Sequence, residues 1–255
     1  MSHQVIVITG ASAGIGAALA QQAAAEGARV VLAARREREL GEVAKRCGGL
    51  PVVADLTVKA DADRLAKTAL EKHGQIDVWV NNAGRGITRL VSQLTSDDVD
   101  QMVSANVKSA LFGMQAVLPH FKARNAGQLI NVSSMLGRVP YVAVRAAYSG
   151  AKHYLNALTA NLRMELADEF PGICVTTVSP GVVATDFGLN AVHGGIDSRA
   201  LPFSQTADEV AQVIMGAIKS RAADVYTREL FQQQVVDYYG APDLAAYEKK
   251  LAQRR

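Results

Sequence analysis

Short runs of almost uninterrupted apolar residues alternate along the chain with longer stretches in which apolar residues recur every three or four positions. A strand with one face in water would alternate apolar and polar residues, so the continuous runs indicate strands covered on both faces. Strands are predicted at residues 4–9, 29–34, 51–54, 76–80, 128–133, 173–179 and 224–227. Helices are predicted at residues 14–26, 37–45, 61–73, 96–122, 147–170 and 206–220.

This regular alternation predicts one fold class. A strand followed by a helix and then by a parallel strand forms a right-handed βαβ unit, and repeated units build a doubly wound sheet. We therefore predict an α/β fold of the Rossmann type, with a seven-stranded, mostly parallel sheet and helices on both faces. No linker-like segment divides the chain, so residues 1–255 are predicted to form a single domain. Residues 186–205 are interpreted as a substrate-binding loop, and residues 228–255 as a helical C-terminal tail.

The composition excludes several classes of protein. Hydrophobic residues make up 49% of the chain and aromatic residues only 5%, which suits a core of small aliphatic side chains. The net charge is +3 and the basic residues cluster only near the C-terminus, so no nucleic-acid partner is expected. No apolar run approaches the roughly 18 residues of a membrane span, and no signal peptide precedes the first strand. We expect a cytoplasmic protein with no membrane partner and no metal site, in which Cys47 and Cys174 are free thiols.

A glycine-rich turn joins the first predicted strand to the first helix. It reads Thr-Gly-Ala-Ser-Ala-Gly-Ile-Gly over residues 9–16. Glycine lets the backbone approach a phosphate closely, and the free N–H groups of a helix N-terminus attract an anion. A tight strand–helix joint is the alternative, but the position after the first strand of a βαβ unit favours a pyrophosphate site. The residues predicted to form it are Gly10, Ser12, Ala13, Gly14, Ile15 and Gly16.

Tyr148 and Lys152 are four residues apart on a predicted helix, so their side chains share one face. A phenol normally has a pKa of about 10, and a neighbouring positive charge lowers it. A tyrosine in this setting could act as a general acid or base near neutral pH. Chance also supplies this spacing, so a surface pair is the alternative when the two residues are taken alone.

A set of separately placed motifs gives the pair its context. They are TGASAGIG at 9–16, Asp55-Leu56, NNAG at 81–84, Asn106, NVSS at 131–134, Tyr148-x-x-x-Lys152, Pro180-Gly181 and Thr185. Each is common by itself, but their order and spacing together are specific. In these motifs the chain resembles the short type of the short-chain dehydrogenase/reductase family.

The resemblance implies a role for each of four catalytic residues. Tyr148 is expected to act as acid or base on the substrate oxygen, and Lys152 to lower its pKa and hold the nicotinamide ribose hydroxyls. Ser134 is expected to polarise the substrate carbonyl through a hydrogen bond, with Ser133 as the alternative hydroxyl. Asn106 is expected to bend its helix and hold a water that connects Lys152 to solvent. The alternative for Asn106 is a polar residue on the wet side of a long helix.

The resemblance also implies a dinucleotide site beyond the glycine-rich turn. Asp55 is expected to hold the adenine amino group, with Leu56 packed beside it. The remaining residues are expected to be Asn82, Ala83 and Gly84 on the ribose side, and Pro180, Gly181, Val183 and Thr185 at the nicotinamide.

The end of the second strand bears on the choice of dinucleotide. Ala34 stands where an NAD-preferring member would carry an acidic residue. Arg35 follows, and a guanidinium suits a 2′-phosphate, although Arg35 and Arg36 could simply begin a charged helix. Ala13 lacks the basic side chain that many NADP-binding relatives carry, and Ser12 could supply a hydroxyl instead. NADP(H) is therefore the predicted cofactor, with NAD(H) as the alternative.

The substrate pocket is expected to lie between residues 85–89, residues 135–144 and the loop after Thr185. Apolar side chains dominate these segments, so we predict a small to medium, largely apolar carbonyl or alcohol substrate. His193 is expected to be solvated, because no partner for it can be named, and contact with the substrate is the alternative. Arg89 and Arg145 are expected to be structural or solvent-facing, with contact to an acidic substrate group as the alternative.

Partners and competing functions complete these expectations. The helices at 96–122 and 147–170 are expected to pair in a homodimer, and a tetramer is left open. A dinucleotide-binding sensor or scaffold without turnover is the alternative from another class, although such proteins tend to lose the catalytic tyrosine or lysine. The length of the chain and its glycine spacing argue against a sugar-nucleotide epimerase or dehydratase.

Overall fold

A computed structural model of the protein describes residues 3–253. The strands are β1 (Val5–Thr9), β2 (Arg29–Ala34), β3 (Leu50–Val53), β4 (Val78–Asn81), β5 (Gly127–Val132), β6 (Ile173–Ser179) and β7 (Asp224–Tyr226). The helices are α1 (Gly14–Ala25), α2 (Glu37–Cys47), α3 (Lys59–His73), α4 (Ser96–Val103), α5 (Ser109–Arg124), α6 (Ala146–Leu166), α7 (Ala207–Ser220), α8 (Glu229–Tyr239) and α9 (Leu244–Gln253). Among these residues, every helix falls short of the length or the apolar character that crossing a bilayer requires.

The seven strands form one sheet in the order β3-β2-β1-β4-β5-β6-β7, and every neighbouring pair is parallel. The predicted doubly wound α/β fold is therefore confirmed as a single domain. Because the strand order reverses between β1 and β4, the loops that follow these two strands diverge at the carboxyl edge of the sheet. In doubly wound folds ligands bind in the crevice at this point.

Successive residues of the central strands serve two separate apolar layers. Ile6 and Ile8 of β1 face a cluster that includes Leu19, Leu40 and Ile214 from α1, α2 and α7. The alternate residues Val5 and Val7 face a second cluster, formed with Leu65, Phe121, Leu155 and Leu162 from α3, α5 and α6. This burial on both faces explains why the strands are continuous apolar runs in the sequence.

One predicted helix is interrupted. The sequence predicts a continuous helix at residues 96–122, but α4 and α5 are separated by a π-helical turn at Ser104–Lys108. Such turns insert extra backbone into a helix and are frequent at functional sites. The apolar period runs through the turn almost unchanged, so the sequence pattern does not reveal it.

A buried chain of polar side chains connects the sheet to the helices beneath the carboxyl edge. The indole of Trp79 donates to Asn81 Oδ1 at 2.8 Å, and Asn81 Nδ2 donates to Asn131 Oδ1 at 2.9 Å. Asn131 Nδ2 in turn donates to Thr159 Oγ1 at 2.8 Å. Since buried polar groups are costly when they lack a partner, this chain fixes β4, β5 and α6 relative to one another.

Replacing the central member of this chain should destabilise the fold. We expect Asn131→Ala to lower the free energy of unfolding by about 2 kcal/mol, because it removes the partners of Asn81 and Thr159 inside the protein. Urea denaturation measures the change. Asn161→Ala is the control, since Asn161 is exposed and bonds only to Ala157 O within its helix, and it should shift stability by no more than about 0.5 kcal/mol. Equal stabilities for the two variants would contradict the assignment.

Candidate active site

The glycine-rich turn adopts the backbone geometry that the sequence predicted for it. Gly10 has φ +65° and Gly14 has φ +54°, a region that residues with a Cβ rarely adopt. A Cβ on Gly10 would stand 2.9 Å from the Cα of Ala83, and one on Gly14 would stand 3.1 Å from Cγ2 of Thr185. The turn is therefore held against the loops that follow β4 and β6, and no side chain can replace these glycines without strain.

Asn82 fixes the turn from the other side of the crevice. Its Nδ2 donates to Thr9 O at 3.0 Å and to Gly10 O at 3.3 Å. The backbone N–H groups of Asn82 and Ala83 donate to Thr9 Oγ1 at 3.0 and 3.1 Å. Asn82 and Ala83 therefore hold the glycine-rich turn in place through these contacts.

The N-terminus of α1 fits an anionic group. Its capping residue Ala13 makes no side-chain hydrogen bond, and no acidic residue stands in the first turn. Among residues 3–253, no side chain accepts from the first N–H groups of the helix, at Gly14, Ile15 and Gly16. The helix dipole adds a partial positive charge there. This arrangement suits the pyrophosphate of a dinucleotide.

Two arginines at the end of β2 point to different partners. Arg35 Nη1 lies 3.9 Å from Asp55 Oδ2. Arg36 donates to Ser12 Oγ from Nε and Nη2, at 3.3 and 3.1 Å, and therefore contacts the glycine-rich turn itself. From the sequence, Arg35 is the residue expected at the 2′-phosphate, and Arg36 is expected only as a possible start of a charged helix. Asp55 is only partly buried, and Leu56 beside it packs in the core.

Tyr148, Lys152 and Ser134 come together at the carboxyl ends of β5 and β6. Lys152 is 3% exposed; its Nζ donates to Val132 O at 2.9 Å and lies 5.7 Å from the centre of the Tyr148 ring. Ser134 begins a short 3-10 turn, and its Oγ accepts a hydrogen bond from Leu136 N at 3.1 Å. Ser134 lies close enough to Tyr148 to act on its pKa, which it lowers. The Ser133 hydroxyl is instead buried and has no partner among the described residues.

Burial shifts the pKa values of both titratable groups toward their neutral forms. It raises the pKa of Tyr148 to about 12, and the interactions of Tyr148 with Ser134 and with the charge of Arg145 offset part of that rise. Burial lowers the pKa of Lys152 to about 8. Near neutral pH Tyr148 is therefore protonated and able to donate. The expected lowering of its pKa by Lys152 stays a prediction.

Asn106 lies inside the π-helical turn and is fully buried, so the alternative that placed it on the wet side of a helix is wrong. Its Nδ2 donates to Arg85 O at 2.9 Å and its Oδ1 accepts from Arg85 N at 3.2 Å. A Cβ on Gly84 would stand 2.7 Å from Asn106 Oδ1 and 3.6 Å from Lys152 Nζ. Asn106 therefore borders the same small space as Lys152.

The loop after β6 borders the site on the side of β5 and β6. Pro180 O accepts from Met135 N at 2.7 Å, and Val183 forms a bridge with Gln205. A Cβ on Gly181 would stand 2.5 Å from the ring of Phe231 on α8. Sequence reasoning missed Phe231, because nothing local in the C-terminal tail indicates which loop it packs against.

The predicted substrate-binding loop is held by a buried carboxylate. Asp98 is 2% exposed; its Oδ2 accepts from Arg89 at 2.8 Å and from Thr95 N at 3.0 Å, and its Oδ1 lies 2.7 Å from His193 Nε2. Hydrogen bonds from Thr95 N–H, Arg89 and His193 hold the pKa of Asp98 well below its usual range. His193 is exposed, as expected of a solvated residue, but it also has a partner in Asp98 that the sequence did not indicate. Arg89 has the structural role expected of it. The Thr95-x-x-Asp98 capping pattern was the available signal for Asp98.

Three comparisons with known proteins bear on this site. The model of the family described as short chain dehydrogenase matches residues 4–194. An uncharacterized oxidoreductase of Staphylococcus epidermidis is 36% identical over 196 residues, which cover 74% of this chain and 84% of the relative. The crystal structure of a short chain dehydrogenase/reductase from Burkholderia phymatum in complex with NAD has a TM-score of 0.86 at 22% identity and covers 94% of each chain. That of an alcohol dehydrogenase from the archaeon Thermococcus sibiricus complexed with 5-hydroxy-NADP has a TM-score of 0.76 at 25% identity, covering 90% and 97%.

The Asp98 cluster yields a prediction for stability and exchange. An aspartate in the unfolded chain has a pKa of about 4, whereas the pKa of Asp98 in the folded protein is lower. Asp98 therefore contributes its full stabilisation above about pH 4, and this contribution is lost as the pH falls toward the folded-state pKa. We expect Asp98→Asn to flatten the acid limb of the stability curve, measured by denaturation at a series of pH values. Hydrogen exchange should also accelerate at the amides of Thr88 and Val192, which pair the loop with residues 86–88.

The exposed neighbour Asp100 supplies the control for this experiment. Asp100→Asn removes one carboxylate from the same helix and should leave the exchange of both amides unchanged. Faster exchange in both variants, or in neither, would show that Asp98 does not hold the loop.

Proposed function

The chain belongs to the short-chain dehydrogenase/reductase family, and on that basis we propose that it is an NADP(H)-dependent oxidoreductase. It would transfer hydride reversibly between the nicotinamide and the carbonyl or secondary alcohol of a small to medium, largely apolar substrate. The observation that carries this proposal is the convergence of Ser134, Tyr148 and Lys152 beside the glycine-rich turn. The description of its relatives as oxidoreductases decides against a sensor without turnover.

The residues of this chain would hold the dinucleotide along the carboxyl edge of the sheet. The uncapped start of α1 suits the pyrophosphate, Asp55 the adenine, and Lys152 the nicotinamide ribose. Asn82, Ala83 and Gly84 would line the ribose side, and Pro180, Gly181, Val183 and Thr185 would border the nicotinamide. When bound, the nicotinamide supplies or accepts the hydride.

Two hydroxyl groups would act on the substrate oxygen. Ser134 would donate a hydrogen bond that polarises the carbonyl, and Tyr148 would donate the proton that completes reduction. The buried ammonium of Lys152 would stabilise the tyrosinate that remains. Asn106 borders Lys152 across Gly84, which supports its proposed role in connecting the lysine to solvent through a water.

The surroundings of Tyr148 support an apolar substrate. The Phe187 ring packs edge-on against the Tyr148 ring, with centroids 5.6 Å apart. Leu136 and Tyr141 are partly exposed beside them, and Leu189 and Ile196 of the loop are largely exposed. A ligand body that covered such side chains would gain hydrophobic stabilisation.

A homodimer through α4, α5 and α6 completes the proposal. Val99 on α4 and Tyr154 and Met164 on α6 are 44%, 57% and 66% exposed, which supports these helices as the contact surface and leaves a tetramer open. Cys47 and Cys174 are free thiols, which supports a reducing, cytoplasmic location.

Tyr148→Phe tests the assigned chemistry. Loss of a general acid should lower kcat/KM by about 10²- to 10⁴-fold, because the phenyl ring cannot donate a proton. NADPH oxidation with a panel of carbonyl compounds measures it, and fluorescence titration verifies that NADPH still binds. Tyr154→Phe, an exposed tyrosine on the same helix, is the control and should retain the wild-type rate. Full turnover by Tyr148→Phe would refute the mechanism.

The cofactor preference has a separate test. Arg35→Ala and Arg36→Ala should each raise the Kd for NADPH by about 10- to 100-fold and change the Kd for NADH much less, since each loses a charged contact to the 2′-phosphate. Arg38→Ala is the matched control, because Arg38 is exposed and lies close only to Glu39. Tighter binding of NADH than NADPH by the wild-type protein would overturn the preference.

A further inference from the structure

Arg145 is a half-buried cation that the catalytic scheme does not use. It precedes α6 and stands three residues before Tyr148. Its Nη1 donates to Ile87 O at 3.0 Å, and its other guanidinium N–H groups have no acceptor among residues 3–253. No carboxylate in that part of the chain lies within 4.0 Å of it, whereas Arg89, Arg124 and Arg138 each have an aspartate.

Two glycines on separate loops make room for this guanidinium. A Cβ on Gly86 would stand 2.8 Å from Nη1 of Arg145, and one on Gly195 would stand 3.2 Å from Nη2. The same Cβ on Gly195 would stand 3.1 Å from Thr88 Oγ1. This hydroxyl is buried and lacks a hydrogen-bond partner in the described structure. The two loops therefore enclose a cation and an unused hydroxyl side by side.

This cation belongs to the same pocket as the catalytic tyrosine. The Phe187 ring that packs on Tyr148 would also stand 2.9 Å from a Cβ on Gly86, next to Arg145. The charge of Arg145 acts to lower the pKa of Tyr148, and burial lowers the pKa of Arg145 itself. The first turn of α6 contains no acidic residue that could neutralise the charge.

We propose that Arg145 binds a carboxylate carried by the substrate, so that the compound reduced at Tyr148 is an oxo acid and the compound oxidised is the corresponding hydroxy acid. The inference rests on the proposed function and refines its substrate class. A planar guanidinium matches a carboxylate through two parallel hydrogen bonds. One cation among Phe187, Ile87 and glycine backbone suits a single negative charge on an otherwise apolar molecule.

Matched pairs of substrates test the proposal. Linear oxo acids of six carbons, with the oxo group at carbon 2, 3, 4 or 5, are compared with their methyl esters in NADPH-dependent reduction. We expect the best acid to exceed its ester in kcat/KM by about 10- to 100-fold, the range of a charge-assisted pair. Arg145→Gln should remove that preference, and Arg145→Lys should retain part of it.

Arg85 supplies the matched control, since it is an exposed arginine on the loop after β4, next to Gly86, and its Nε donates to Asn190 O at 3.3 Å. Arg85→Gln should leave the acid-to-ester ratio unchanged. The proposal is overturned if the wild-type protein prefers esters, if Arg85→Gln abolishes the preference instead, or if Arg145→Gln slows both substrate types equally. Equal slowing would mean that Arg145 acts through the charge it places near Tyr148, or through the stability of the fold, and not on the substrate carboxylate.

A binding measurement separates this proposal from the proposed function. The thermal shift of the protein with NADP⁺ is recorded with each hydroxy acid and with its methyl ester. A rise in Tm that is specific to the acids and absent in Arg145→Gln supports the carboxylate site even if no compound is turned over, an outcome that would refute only the oxidoreductase chemistry. If esters are turned over but acids give neither a specific rise in Tm nor a higher kcat/KM, only the carboxylate site is refuted. The carboxylate site is also refuted if no acid produces a response in the thermal-shift assay or in the reduction assay.

Discussion

The buried ammonium group of Lys152 is the constraint on which the rest of the site depends. A cation at 3% exposure is costly unless it is hydrogen-bonded, and the last carbonyl of β5, at Val132, provides that bond at 2.9 Å. The bond fixes α6 against the end of β5. Because Tyr148 lies on the same helical face, it is carried to the carboxyl edge of the sheet together with the lysine.

Close approaches of the backbone surround this buried cation. A Cβ on Gly137 would stand 2.9 Å from the Cβ of Lys152, and Gly84 leaves room for Asn106 on the opposite side. The π-helical turn carries Asn106 into that space and lets its amide satisfy both backbone groups of Arg85. The π-helical turn and the two glycines, Gly84 and Gly137, thus have the same effect. They let polar groups close to the buried Lys152 ammonium find hydrogen-bond partners.

The open side of the site is organised by charge. Asp98 accepts a hydrogen bond from Arg89 and contacts His193. These two contacts connect the loop after β6 to α4 and to the segment after β4. Arg145 lies on the same side and has no carboxylate within 4.0 Å among the described residues, so Arg89 is neutralised and Arg145 is not. This difference between two neighbouring arginines turns a generic apolar pocket into one with a preferred charge for its ligand.

Features that rest on local spacing can be read from the sequence. The seven strands, the glycine-rich turn with its positive φ angles and the shared helical face of Tyr148 and Lys152 all follow from short-range periodicity and from the conformational freedom of glycine. Contacts between distant groups become visible only in the folded chain. Asp98 and His193 are 95 residues apart, Arg36 rather than Arg35 reaches Ser12, and no local pattern encodes these pairings. Arg145 became informative for the same reason, since the lack of an acidic partner is visible only once every loop around it has been placed.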